Sequence, residues 1–136
     1  MTTLYLFLAT GLTFLVIDVI WLTAVMQPLF QREVGPLLAD PPRLGVAAGF
    51  YLIYIAGLVH FAGLPGLTAG PLSAAVNGGF IGLIAYGTYE MTNMATLRDW
   101  SWTLVVADTA WGIVLSAASA AGGVLILRAL SGGAPS

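Results

Sequence analysis

The run TLYLFLATGLTFLVIDVIWLTAVM, Thr3 to Met26, decides the fold. It carries one charge, Asp18, in a stretch otherwise apolar enough to cross a bilayer. A membrane-spanning helix needs about 20 predominantly apolar residues, and this run supplies them. Three further windows of the same kind follow, at about Leu44–Leu64, Leu72–Leu97 and Ser101–Leu130. From Leu44 to Tyr89 no residue is formally charged. That run is too long for one crossing, and Leu64-Pro65-Gly66-Leu67-Thr68-Ala69-Gly70-Pro71 reads as the turn that divides it. Between the first two windows, residues 27–43 form a polar, proline-rich loop with Pro28, Pro36, Pro41 and Pro42. A short interfacial helix at Leu29–Leu38 fits inside it. Arg98-Asp99-Trp100 is a tight charged turn, and Ser131 to Ser136 is a frayed tail. The prediction is an all-α, integral membrane four-helix bundle, with residues 1–136 as a single transmembrane domain.

Composition supports that reading. Of 136 residues, 59% are hydrophobic and 7% charged, and the mean hydropathy is +0.95. A soluble domain carries about 25% charged residues, so too few are present to coat a surface in water. The lipid bilayer is therefore the first partner. A net charge of −2 leaves no basic footprint for nucleic acid. The absence of cysteine excludes disulfides, thiolate metal sites and cysteine nucleophiles. No metal and no cofactor is expected. The N-terminus lacks a basic n-region and a cleavage site, so the first helix is expected to be retained.

Arginine counting gives an orientation. Arg32 and Arg43 lie between helices one and two, and Arg98 between helices three and four. Arg128 alone lies at the other end. The positive-inside rule then places both charged loops in the cytoplasm and both termini outside. Small residues recur at helical spacing, as Gly45 and Gly49, Gly78 and Gly82, and the Ala/Gly run of helix four. Such faces let membrane helices approach closely within one bundle.

Asp18, Glu90 and Asp108 are the unusual residues. An acid near the centre of a membrane helix costs roughly 2.5–3.5 kcal/mol on insertion scales and marks a functional site by default. At about 1.5 Å of rise per residue, Asp18 lies roughly 12 Å, and Glu90 and Asp108 roughly 10 Å, from the cytoplasmic helix ends. Antiparallel helices thus bring all three to one level. Asp18-Val-Ile-Trp21 and Asp108-Thr-Ala-Trp111 share the pattern Asp-x-x-Trp, which sets an indole N–H on the same face as each acid. Tyr86, Glu90 and Asn93 fall on one face of helix three. A phenol, an acid and an amide in line can relay protons or grip a polar ligand, and can equally fix helix register. Arg98 could fold back toward Glu90, and Arg32 or Arg43 could approach from the first loop. His60 and Asn77 straddle the other turn, and the spacing suggests a broken polar path from Asp108 through Ser119 to one of them.

The two Asp-x-x-Trp patterns, together with Tyr-Glu-Met-Thr-Asn-Met-Ala-Thr-Leu-Arg-Asp-Trp at 89–100, resemble a family of small four-helix bacterial membrane proteins that is known only as a domain of unknown function. The resemblance covers nearly the whole chain. It implies a bacterial inner-membrane location and no particular activity.

Three functions fit these residues. The first is binding or translocation of a proton, cation or small polar ligand at Asp18, Trp21, Tyr86, Glu90, Asn93, Arg98, Asp108 and Trp111, in a homo-oligomer. The second is an accessory subunit of a larger membrane complex with protein, lipid or pigment contacts. The third is a lipid-modifying enzyme or intramembrane hydrolase, with Asp18 and Asp108 as a dyad sharing one proton. The histidine boxes, lysine, cysteine and Gly-x-Ser-x-Gly elbow that would support enzyme chemistry are missing.

Overall fold

The computed structural model describes residues 1–132, and these fold as four helical rods without a strand among them. α1 runs over Thr2–Leu37, α2 over Leu44–Ala69, α3 over Pro71–Thr96 and α4 over Trp102–Leu130. Residues 133–136 of the expected frayed tail lie outside the described residues. The protein is an all-α membrane protein. Leu12, Ile20, Ile53, Phe80, Ile84 and Val106 point outward, as a lipid-covered surface requires.

Two boundaries differ from the sequence reading. The residues expected as a loop from Gln27 continue α1 as far as Leu37. The turn expected at Leu64–Pro71 shrinks to Gly70, because α2 continues through Pro65. One device explains both. A proline inside a helix removes an N–H and clashes with the carbonyl four residues back. Ahead of Pro28 the helix widens into a π-turn over Leu22–Met26, where the Gln27 N–H donates to the Leu22 carbonyl. Ahead of Pro65 it does the same over Val59–Gly63, and the Leu64 N–H donates to the Val59 carbonyl. The wider turn moves the hydrogen bonds out of the proline's way. What stops α2 is Gly70, at φ 111° and ψ 166°, a conformation essentially reserved for glycine. Pro71 follows in the first turn of α3, where its ring suits the helix. α4 opens on Ser101, whose side chain accepts the Leu104 N–H at 3.1 Å as an N-cap.

α1, α2 and α4 are each long and apolar enough to span a membrane. α3 has the length, at 26 residues, but falls short in apolarity, against the four equivalent spans expected. Glycines and polar residues lower it. Thr88, Thr92 and Thr96 each donate a hydroxyl to the carbonyl four residues earlier. That ladder satisfies these hydroxyls within the helix, as a water-poor environment demands.

The α3–α4 pair is the most extensive contact in the bundle. A Cβ on Gly82 would lie 2.2 Å from the Gly112 carbonyl oxygen, and one on Gly112 would lie 2.2 Å from Tyr86 Cγ. Backbone therefore meets backbone at this level. The main core runs along α1, α2 and α4 through Leu6, Phe14, Ile55, Leu58, Leu115 and Val124. A second apolar cluster joins Met26, Leu29 and Val34 of α1 to Trp100, Leu104 and Val105. Gly82→Ala should destabilise the fold by roughly 1–3 kcal/mol through overpacking. Gly45→Ala, where nothing lies within 4 Å, should be neutral or gain up to about 1 kcal/mol in helix propensity. Unfolding of both variants in mixed micelles checks this ordering.

Candidate functional site

The α3–α4 approach brings the side chains of Glu90 and Asp108 close enough to interact. Glu90 is fully buried. Its Oε1 accepts the Trp100 indole N–H at 2.9 Å, and its Oε2 is buried with no hydrogen-bond partner. Asp108 keeps part of its surface open. Asp18 is buried on α1 and accepts the Trp111 indole N–H at 3.2 Å. Tyr51 stands beside it. The three acids thus gather at one level.

The indoles are not distributed as the Asp-x-x-Trp spacing suggests. Trp111 serves Asp18 across the helix interface rather than Asp108 on its own helix. Trp21 does not bond Asp18. It stacks on Trp111, with centroids 4.3 Å apart and planes at 8°, and its Nε1 is buried without a partner. The reason is geometric. Cβ vectors three residues apart share a face, but the α1–α4 contact turns that face toward the neighbouring helix, so an indole reaches across before it reaches along. Glu90 receives its donor from Trp100. No local spacing marks that residue, although a tight turn at Arg98-Asp99 returns the chain toward the end of α3.

Tyr86 lies over Gly112 and packs edge-on against Tyr54, with centroids 6.1 Å apart. Asn93 is half-buried beside Tyr89. Arg98 is exposed, and among the described residues no ion pair joins it, Arg32 or Arg43 to Glu90. The Trp100 indole takes the place expected of an arginine. This is the cheaper solution in lipid, since an indole N–H brings a donor without a second charge to desolvate.

The polar residues continue beyond the acids. On α4, Asp108, Gly112, Ser116, Ser119 and Gly123 follow at intervals of four, four, three and four, which is one helix face. At Ser116 the side chain bonds the Tyr54 hydroxyl at 2.6 Å. Ser119 is fully buried and its Oγ has no partner. At Gly123, an added Cβ would lie 2.1 Å from Thr10 Oγ1, which is also buried and unpartnered. By helical rise this line is roughly 22 Å long. His60 and Asn77, expected as its outer end, are both exposed. Ser116, Tyr54 and Thr10 were not singled out in the sequence. The four-four-three-four spacing on α4 was the signal available.

A family described as "Predicted membrane protein (DUF2177)" matches residues 3–125. The chain belongs to this family. Searches of curated proteins and of solved structures return no match. Membership fixes the class of molecule, a membrane protein built of apolar helices, and assigns no role to the acids.

The crossed indoles lead to a contrast between two similar substitutions. Trp111→Phe keeps the stacked ring but strips the donor from the buried Asp18, and should cost roughly 1–3 kcal/mol. Trp21→Phe removes an N–H that bonds nothing, and should cost much less. Equal losses in unfolding experiments would contradict the crossed arrangement.

Proposed function

We propose that the acids and the hydroxyl line of α4 bind a proton or a small monovalent cation and hand it through the bundle. The observation that carries this reading is the placement of partnerless polar atoms. Glu90 Oε2, Ser119 Oγ and Thr10 Oγ1 are all buried without a hydrogen bond; Ser119 stands on the α4 face of Asp108 and Ser116, and Glu90 from α3 and Thr10 from α1 approach that face. Buried polar groups normally find partners, and exceptions call for an explanation. In a membrane interior, acids and hydroxyls in sequence are the usual material of a proton pathway.

The chemistry favours a small guest. Two carboxylates in contact are acceptors only and repel. A proton or cation between them turns that repulsion into attraction. Tyr86 over Gly112, the Trp21–Trp111 stack and Trp100 against Glu90 take up the surrounding volume with rings. The guest enters at Asp108, which is partly open, and rests against Glu90, which is sealed. Trp111 and Tyr51 steady Asp18 beside this pair. Tyr86, Tyr54, Ser116, Ser119 and Thr10 carry it onward.

The loop arginines Arg32, Arg43 and Arg98 support a cytoplasmic orientation of the acid end by the positive-inside rule, and the reading takes the membrane to be a bacterial inner membrane. A homo-oligomer belongs to this reading. The first turns of α2, with Leu44, Val46 and Phe50 exposed and open space at Gly45 and Gly49, offer the face for it.

Reconstitution in liposomes with an imposed pH gradient and an entrapped pH-sensitive dye tests the proposal. The unaltered chain should dissipate the gradient faster than empty vesicles. Glu90→Gln and Asp108→Asn should lower that excess rate at least about tenfold, the size of effect expected for a proton-carrying group. Asp40→Asn, in the exposed loop, should leave it unchanged. No excess rate in the unaltered chain, or undiminished rates in both acid variants, would refute it.

A further inference from the structure

At the end of the bundle opposite the acids lies a half-open cavity of ≈ 360 Å³ lined by Thr2, Tyr5, Leu67, Leu127, Arg128 and Leu130, with Ser131 at its edge. Arg128 is half-buried on the last turn of α4. Its Nη2 makes one long contact, 3.5 Å, to the Leu67 carbonyl, and its Nε is buried with no partner. A guanidinium offers five N–H donors in a planar fork, so most of this one is uncommitted. No acidic side chain can complete it. Asp18, Glu33, Asp40, Glu90, Asp99 and Asp108 are the only six in the chain, and none of them lines the cavity. Among the described residues no counter-charge stands beside this partly buried cation, which is costly, and the rest of the wall suggests what supplies one. Thr2 and Tyr5 bring hydroxyls to the rim, whereas Leu67, Leu127 and Leu130 make an apolar side.

We propose that this cavity binds the phosphate of an anionic phospholipid. The guanidinium fork holds two phosphate oxygens, the Tyr5 and Thr2 hydroxyls lie at the headgroup, and an acyl chain lies along Leu127 and Leu130. Arginine matches phosphate in a bidentate geometry that lysine lacks. A hydroxyl rim over leucine suits a molecule that is charged at one end and apolar at the other. The site is independent of the acidic cluster and stands whether or not that cluster moves protons.

Native mass spectrometry of the full chain in detergent, with phosphatidylglycerol or phosphatidylcholine added, tests it. The unaltered protein should retain phosphatidylglycerol in preference to phosphatidylcholine. Arg128→Gln should reduce that retention roughly tenfold, as expected for losing one charge-assisted pair. Displacement of the lipid by millimolar inorganic phosphate would keep the oxyanion site and assign it to free phosphate. Equal phosphatidylglycerol adducts in both proteins, or no lipid preference in the unaltered one, would overturn the proposal. Should Arg128→Gln fail to fold, the melting midpoint of the unaltered chain serves instead. Phosphatidylglycerol should raise it more than phosphatidylcholine does, and identical midpoints would overturn the site.

Discussion

The close approach of α3 and α4 at Gly82 and Gly112 is the constraint on which the rest depends. No side chain separates the two backbones there, since a Cβ on Gly82 would collide with the Gly112 carbonyl. This brings Glu90 close to Asp108 and sets Tyr86 across Gly112. It also fixes the height at which α1 delivers Asp18 to Trp111. A larger residue at either glycine would push the helices apart, and the acids would lose each other before they lost the membrane.

The structure also shows how a small bundle keeps acids in an apolar setting. Each buried carboxylate has one indole donor, taken from a different helix or from the turn beyond its own. The prolonged end of α1 then covers the second acid. Met26, Leu29 and Val34 pack on Trp100, Leu104 and Val105, and Phe30 meets Trp100 edge-on with centroids 6.0 Å apart. The π-turn before Pro28 is what allows α1 to reach that far as a helix. The proline that reads as the start of a loop thus sits inside the segment that roofs the site.

Much of this was legible in the residues and some of it was not, for physical reasons. Apolar length located the helices, since a bilayer tolerates few alternatives. Depth arithmetic gathered Asp18, Glu90 and Asp108 because antiparallel helices preserve level. Direction was lost. Spacing along one helix says which residues share a face but not what lies opposite, so Trp111 read as a partner of Asp108 and not of Asp18. Trp100 carries no signal in the sequence because its bond to Glu90 is made by the return of the chain at a turn. Pro28 and Pro65 read as stops because a π-turn has no sequence signature of its own. Ser116 and Thr10 are ordinary residues until Tyr54 and Gly123 are placed opposite them. The chain's family supplies the membrane class and leaves these contacts to be read from the structure.

The central claim is that Glu90 and Asp108 act as one unit. A double-mutant cycle of Glu90→Gln, Asp108→Asn and the combined variant, read by reversible unfolding in mixed micelles, measures it most directly. Neighbouring acids couple whether they repel as two carboxylates or share one proton, so the effect of the combined variant should differ from the sum of the two single ones. The expected coupling is at least about 0.5 kcal/mol, as for residues in direct contact. Additivity to within about 0.3 kcal/mol, the behaviour of independent sites, would contradict a shared acidic site.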